Sequence, residues 1–267
     1  MNISNIYNIA KITLLEMLRK GIFYLLLFFS AGIIIFSYYM NFFSLGSQAP
    51  IIKDFSLSSI SFFSIILTIV LGITLIPSEI ENKTIYPIIT KPVKRYEYIM
   101  GKYLGIICLI GINLIILTLL LMGILLMKEN VLNFGVLKAM ILVLAQCMII
   151  CATTVLLSLW VTPPVNFSLM LFILIIGNLS NAYLGYLIGM MLTASSGAMM
   201  ALVYAVTVIL QAVKIILPTF AFFNIKDAIV HSYFVSNFYI FEVVLYSALY
   251  TSFILLVSYI VFEEKDL

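Results

Sequence analysis

Long apolar runs separated by short polar breaks make up most of the chain. A helix that crosses a bilayer needs about 20 apolar residues. Six runs of this kind are predicted to span: 22–40, 59–76, 103–127, 139–161, 167–192 and 239–261. Because the apolar residues do not alternate with polar ones as in barrel strands, the pattern predicts an all-α polytopic membrane protein with six transmembrane helices.

Prolines mark two of the boundaries between runs. Pro77 is predicted to end the second span. Pro163 and Pro164 lie in the turn from Thr162 to Asn166, and two successive prolines cannot continue a helix that reaches them. This turn therefore separates two spans with almost no loop.

A seventh apolar run, 199–217, decides between two topologies. It contains Gln211 and Lys214, three residues apart and so on one helix face. A lysine at the bilayer centre costs at least ~2.5 kcal/mol, whereas a half-inserted helix turns that face to water. The sequence favours an extracytoplasmic re-entrant hairpin over 194–238 before the last span, with a seven-span chain as the alternative.

The first twenty residues are too polar to span a membrane but show helical periodicity. The apolar stripe consists of Ile6, Ile9, Thr13, Leu14, Met17 and Leu18, and the interspersed charges are Lys11, Glu16, Arg19 and Lys20. This pattern predicts an interfacial amphipathic helix over 1–20 on the cytoplasmic leaflet. The alternative is a polar tail that continues into the first span.

Basic residues are unevenly distributed between the two sides of the predicted spans. The segments before the first span and between the second and third hold eight of the fourteen: Lys11, Arg19, Lys20, Lys83, Lys91, Lys94, Arg95 and Lys102. Cytoplasmic loops carry an excess of Lys and Arg, so both segments are predicted to be cytoplasmic. Six spans then place both termini in the cytoplasm of a multi-pass protein of the inner (plasma) membrane.

Composition excludes several classes of protein. Hydrophobic residues make up 64% of the 267, charged residues 9%, and the mean hydropathy is +1.22. A soluble domain is about a quarter charged, so this chain has too few charges for a water-soluble surface. The net charge of +3 is too small to indicate nucleic acid as a partner. The lipid membrane is the expected surrounding of a single domain over 1–267.

The predicted cytoplasmic loop after the second span carries the densest local signals. Ser78 followed three residues later by Glu81 matches a capping box, which starts a helix. Two later prolines break this predicted helix, and a new helix is predicted to begin near Arg95. A short charged helix held at the membrane surface suits docking to another protein, so 78–95 is the candidate coupling segment. A plain positively charged loop is the alternative.

Three stretches resemble the permeases of type-2 ABC exporters, in the branch related to the nitrous-oxide-reductase maturation permease. They are the elbow-like Ala10–Arg19; the loop Glu79–Thr84 followed by Lys91-Pro92-Val93-Lys94-Arg95 and Gly101-Lys102; and the late Leu217–Phe220, Phe223–Asp227 and Phe262–Leu267. The chain departs from this family at Thr219 and at Ala221-Phe222, where relatives are more polar.

The resemblance implies that a separate cytoplasmic ABC ATPase binds the elbow helix and the coupling segment, and that its closure on ATP rocks the spans. The residues carried over for docking are Glu79, Glu81, Lys83, Thr84, Lys94 and Arg95, and those for the elbow helix are Thr13, Glu16 and Arg19. One six-span chain would be half a transporter, so a second permease chain is implied, in a homodimer or with a sister permease.

The sequence itself offers no route to ATP hydrolysis. A P-loop requires Gly-x-x-x-x-Gly-Lys-Ser/Thr, whereas Gly101-Lys102 lacks the first glycine and is followed by Tyr103. We therefore expect no enzyme activity, no catalytic residues and no cofactor in this chain, with ATP and Mg on the partner subunit.

Small and sulfur-containing residues admit simple interpretations. Cys147 and Cys151 share a helix face, but no further ligand is near in sequence, so no metal site is predicted. Gly101 and Gly105 allow another helix to approach closely, and packing within the chain is favoured over a dimer seam.

Two functions from other classes stay open. A secondary transporter or channel would place ionisable groups near the bilayer midplane. Lys214 and Glu242 are the candidates for such a role, and both lie near predicted span ends. The third possibility is a membrane scaffold that transports nothing.

Overall fold

The computed structural model describes residues 3–40, 48–81, 94–129, 134–193, 207–208, 217–231 and 233–264. Eight α-helices lie in these ranges: α1 (Ile3–Arg19), α2 (Gly21–Met40), α3 (Gln48–Glu81), α4 (Arg95–Glu129), α5 (Phe134–Ser158), α6 (Pro163–Thr193), α7 (Lys226–Val230) and α8 (Asn237–Glu264). A 3-10 helix covers Phe220–Phe223. The described part of the chain contains no strand, as the apolar pattern predicts.

Several of these helices are long and apolar enough to cross a membrane. Within the described residues there are five: Gly21–Tyr39, Pro50–Thr74, Arg95–Lys128, Phe134–Ser158 and Asn237–Glu263. They correspond to five of the six predicted spans and make the chain a multi-pass membrane protein. The remaining prediction, 167–192, falls within α6, whose described apolar part is the shorter Pro163–Asn178.

The predicted helix break at Pro77, with a new helix starting at Ser78, is wrong. Helix α3 continues through Pro77 to Glu81, so Ser78 lies within α3 and does not start a separate helix. A proline inside a helix forfeits a backbone hydrogen bond, a loss that membrane helices tolerate. Because α3 has 34 residues, it is about 50 Å long and exceeds the ~30 Å hydrocarbon core.

Helix α3 also begins earlier than the apolar pattern suggests. The apolar run starts near Ser59, whereas the helix starts at Gln48. A polar residue of this first part has a partner in a neighbouring helix: the Ser56 hydroxyl lies 3.1 Å from that of Ser37 on α2. Polar side chains that are paired in this way can be buried without interrupting the helix.

The double proline marks a boundary, as predicted. Helix α5 ends at Ser158 and α6 begins at Pro163. A proline suits the first turn of a helix because the N–H that it lacks would have no partner there. The Asn166 amide donates a hydrogen bond to the Thr154 carbonyl at 3.1 Å, which ties the first turn of α6 to α5.

The chain divides into two compact units, residues 1–167 with 223–267 and residues 168–222. In the first unit, α3 packs against α2, α4, α5 and α7, while α4 packs against α1, α2, α3, α5 and α8. In the second unit, Gly177 leaves room for residues 218–220: a Cβ there would lie 2.8 Å from the Pro218 carbonyl oxygen. The hairpin predicted over 194–238 is described only at 207–208, 217–231 and 233–238.

The first unit has two ends. The Arg95 end comprises α1, the start of α4 and the end of α8, where Arg95 binds carbonyl oxygens of residues 262 and 263. The Lys138 end comprises the start of α5 and the residues that precede α8, where the Lys138 ammonium donates to the Val235 carbonyl at 2.8 Å. Lys128, at the end of α4, lies 5.2 Å from the Tyr38 ring at the end of α2.

Candidate functional site

Arg95, the first residue of α4, binds the end of α8. Its Nη1 donates hydrogen bonds to the carbonyl oxygens of Phe262, at 2.7 Å, and Glu263, at 2.8 Å. The last four carbonyls of a helix lack partners within it, and the helix dipole favours a cation at that end. Arg95 satisfies two of these carbonyls and ties the start of α4 to the end of α8.

Aromatic side chains surround this contact. Tyr98 stacks on Phe262 with ring centroids 5.9 Å apart and planes 14° from parallel. The Arg95 guanidinium lies 5.8 Å from the centre of the Phe262 ring, within reach of a cation–π interaction. Tyr96 meets Tyr259 edge-on at 6.3 Å. Because Phe262 is 1% exposed, the contact has a buried apolar centre. We call this set of contacts the Arg95 clasp.

Helices α4 and α8 part beside the clasp. An open groove of about 410 Å³ lies between them, lined by Tyr96, Ile99, Met100, Ser252, Leu255, Leu256 and Tyr259. Its walls are largely apolar, as expected of a surface that faces lipid. The clasp is therefore a local contact between α4 and α8, which do not pack along a continuous interface here.

Two glycines let α1 lie directly on α4. A Cβ added at Gly101 would meet the Ile9 Cβ at 2.7 Å, and one added at Gly105 would meet the Thr13 Cβ at 2.7 Å and the Ala10 carbonyl oxygen at 2.9 Å. Real Cβ atoms essentially never come so close, so only glycine permits this approach. The glycine pair packs within the chain, as predicted.

Polar contacts reinforce the pairing of α1 with α4. The Asn5 amide donates to Glu97 Oε2 at 3.0 Å. The Glu16 carboxylate lies 3.9 Å from the Lys102 ammonium and 3.6 Å from that of Lys20. Glu97 and Lys102 are each 2% exposed, and buried charges require such partners. Helix α1 thus covers two ionisable side chains near the start of a spanning helix.

Residues 4–267, almost the whole chain, match the family model described as ABC-2 family transporter protein. The chain belongs to the ABC-2 transporter family. It is the permease component of an ABC transporter, as the resemblance of its loop motif predicted. No curated protein sequence matches it.

The residues predicted to dock the ATPase differ in their surroundings in the ABC-2 permease. Lys94 is exposed, and its carbonyl oxygen accepts a hydrogen bond from the Glu97 N–H at 2.9 Å as α4 begins. Arg95 is half-buried in the clasp. Glu79 and Glu81 lie at the end of α3 with side chains outside the described residues, and Lys83 and Thr84 lie wholly outside them.

Of the three predicted elbow residues, one is buried and two are at least partly exposed. Thr13 is fully buried against α4, so it does not face solution. Arg19 is exposed, and Glu16 is partly exposed while it interacts with two lysines. Of these three, Glu16 and Arg19 are therefore the ones that are accessible at the surface of the chain.

Part of the apolar stripe of α1 is covered by protein. Ile9 and Thr13 lie against the glycines of α4, and Met17 is 0% exposed. Tyr7 and Ile12, by contrast, are each 64% exposed. Periodicity identifies an apolar helix face but not what packs against it, since lipid and a neighbouring helix both suit apolar side chains.

Sequence reasoning missed Asn5 and Glu97, and it named Phe262 only as part of a stretch that resembles the family, without a contact to Arg95. An acidic residue at the start of a predicted helix that leads into a span signals a buried partner, and Glu97 carries that signal. The contacts of Asn5 and Phe262 carry no local signal, because their partners lie 92 and 167 residues away in sequence, respectively.

The Lys138 end of the permease holds a second group of charged residues. Burial lowers the pKa of Lys226 below its usual value, while Asp54 and Asp227 oppose this shift. Lys138 also lies 5.2 Å from the centre of the Phe234 ring. These contacts fasten the residues that precede α8. Among the described residues, no three His, Cys, Asp or Glu side chains cluster as metal ligands would.

Proposed function

We propose that this permease is the membrane subunit of an ATP-driven exporter and couples ATP hydrolysis by a separate cytoplasmic ATPase to substrate movement. The observation that carries the proposal is the convergence of elements at the Arg95 end. Helix α1, the end of α3, the start of α4 and the end of α8 all belong to this end, where the 78–95 segment connects α3 to α4. A partner bound there can contact all four of these elements.

Energy for transport comes from the partner in this proposal. The sequence contains no P-loop, so ATP and Mg bind the ATPase subunit and this chain performs no catalysis itself. A second permease chain, identical or a sister, completes the transporter. The branch related to the nitrous-oxide-reductase maturation permease stays a prediction carried by the loop motif.

We further propose six spans with the Arg95 end in the cytoplasm. Helix α5 begins at the Lys138 end, whose contacts hold Val235 just before α8 begins. Helix α5 therefore finishes at the end opposite to the one where α8 starts. The chain from 159 to 236 must cross an odd number of times, which supports one crossing by α6 and disfavours a second by 199–217. The basic residues around 11–20 and 83–102 orient the Arg95 end inward.

Cysteine labelling in whole cells tests this topology. In a cysteine-free chain, Trp160→Cys in the α5–α6 turn is expected to resist a membrane-impermeant maleimide until the cells are opened. His231→Cys, just after α7, is expected to react in intact cells. Both positions are exposed on the chain, so access depends on the side of the membrane. Labelling of both from the same side contradicts the odd crossing.

Reversing charge at the coupling segment tests the docking proposal. Glu79→Lys with Glu81→Lys is expected to lower ATPase co-purification about tenfold, a change equivalent to about 1.4 kcal/mol of binding free energy. The physical reason is that a cationic segment no longer complements the surface that binds it. The chain's amount in the membrane is expected to stay unchanged.

Asp227→Lys, at the Lys138 end, is the matched control because it makes the same kind of charge change on an exposed residue away from the docking end. Its ATPase yield is expected to equal that of the wild-type chain. Equal yields from the double variant and the wild type would remove the docking role from these two glutamates.

A further inference from the structure

We infer that Arg95 is a positioning residue for coupling. It fastens the last spanning helix, α8, to the helix that leaves the coupling segment, so that α8 moves with the start of α4. The inference rests on the proposed function and adds to it, because it gives Arg95 a role through α8 rather than through direct contact with the ATPase.

The place of Arg95 in the chain supports this role. It follows Lys94 at the end of the coupling segment and is the first residue of α4. Its Nη1 donates to two carbonyl oxygens at the end of α8, at 2.7 and 2.8 Å. A displacement of the coupling segment can therefore reach α8 directly, through Arg95 and the adjacent contacts of Tyr96 and Tyr98.

The chemistry of the clasp favours a guanidinium over an ammonium group. Its planar, delocalised charge can stack over an aromatic ring while its N–H groups donate hydrogen bonds, whereas a lysine ammonium is a compact charge without a plane. Arg95 does both, since it lies over the Phe262 ring as it binds the Phe262 and Glu263 carbonyls. A lysine at position 95 keeps the charge and can donate a hydrogen bond but cannot stack on the ring. It is therefore expected to form only part of the contact.

Helix α8 packs mainly against α5 and more sparsely against α4. The groove of about 410 Å³ beside the clasp leaves α4 and α8 apart, so packing does not duplicate the contact there. Elsewhere on α4, Gly101 and Gly105 hold α1 by close backbone approach. The first turns of α4 thus join α1 and α8, and the clasp is the polar part of the connection to α8.

Distance measurement between spin labels tests the inference. Leu104→Cys on α4 and Leu256→Cys on α8 are suitable label sites because both side chains are exposed, and Cys108→Ser removes the exposed native thiol. The purified permease–ATPase complex is measured without nucleotide and after vanadate trapping with ATP. With the native Arg95, we expect a narrow distribution of distances between the two labels of one chain, and we expect nucleotide to leave it unchanged.

Arg95→Gln is expected to broaden the distribution of label distances without nucleotide. On trapping, it is expected to shift the mean distance by several ångströms, because α8 no longer follows α4. Arg95→Lys is expected to give an intermediate result. Lys94→Gln removes the neighbouring exposed cation and is the control, expected to match the wild-type distance.

A wild-type distance distribution in Arg95→Gln, both at rest and after trapping, overturns the positioning role while the proposed function stands. The resting measurement needs no partner, so it still decides whether the clasp holds α8 if no ATPase co-purifies. Failure of an ATPase to co-purify counts against the proposed function alone. If Arg95→Gln does not yield folded protein, Arg95→Lys decides by the same comparison.

Discussion

Replacing Gly105 with leucine is expected to lift α1 off α4 and lower the thermal stability of the purified permease. A Cβ here meets the Thr13 Cβ at 2.7 Å and the Ala10 carbonyl oxygen at 2.9 Å, and the rest of a leucine side chain needs still more space. Because backbone atoms cannot turn away as a flexible side chain can, the helices must separate. Overpacking of this kind costs about 1–3 kcal/mol.

Limited proteolysis measures the separation of α1 directly. Trypsin can cut after Lys11 and Arg19 once α1 opens, and a loss of 1.4 kcal/mol in opening free energy raises the cleavage rate about tenfold. Gly111→Leu is the matched control, because it changes the same helix at a position where nothing lies within 4 Å of a new Cβ. Equal protection of α1 in both variants would contradict the close packing at Gly105.

Replacing Gly72 with alanine is expected to destabilise the packing of α3 against α5. The new Cβ would lie 2.9 Å from the Thr154 Cβ and closer still to its hydroxyl. The Thr154 hydroxyl cannot easily move aside, since it lies 2.9 and 2.8 Å from the carbonyl oxygens of Ile150 and Cys151. We expect a loss of about 1–3 kcal/mol, visible as a lower unfolding temperature in detergent.

A second substitution identifies the cause of that loss. Thr154→Ala removes the hydroxyl, so the Gly72→Ala, Thr154→Ala double variant is expected to regain part of the stability. Gly32→Ala is the control, because nothing lies within 4 Å of its new Cβ. If the two losses simply added in the double variant, the clash would not be the source of the effect.

Local patterns in the sequence predict much of this fold. Five spans follow from apolar run length, and α1 follows from the helical periodicity of residues 6–18. The Gly101–Gly105 spacing predicts a close helix contact because it places two residues without side chains on one face. Each of these features depends on residues within a few positions of one another.

The remaining features depend on contacts that are distant in sequence. Helix α3 passes through Pro77 because a single missing backbone bond near its end is tolerated, although the same residue type marks the boundary at Pro163. From the sequence alone, Arg95 is expected to be a cation in a loop. In the fold, the end of α8 places the Phe262 and Glu263 carbonyl oxygens beside it. Sequence spacing therefore locates the candidate site, and the folded arrangement separates its packing residues from its exposed ones.

Purification of the tagged chain from its native membranes in a mild detergent tests the central claim most directly. Co-purifying proteins are identified by mass spectrometry, and ATP hydrolysis by the sample is measured. We predict a stoichiometric P-loop ATPase subunit that hydrolyses ATP and is lost when Glu79 and Glu81 are reversed in charge. A chain that purifies alone, hydrolyses no ATP and still moves a solute across liposome membranes would contradict the account.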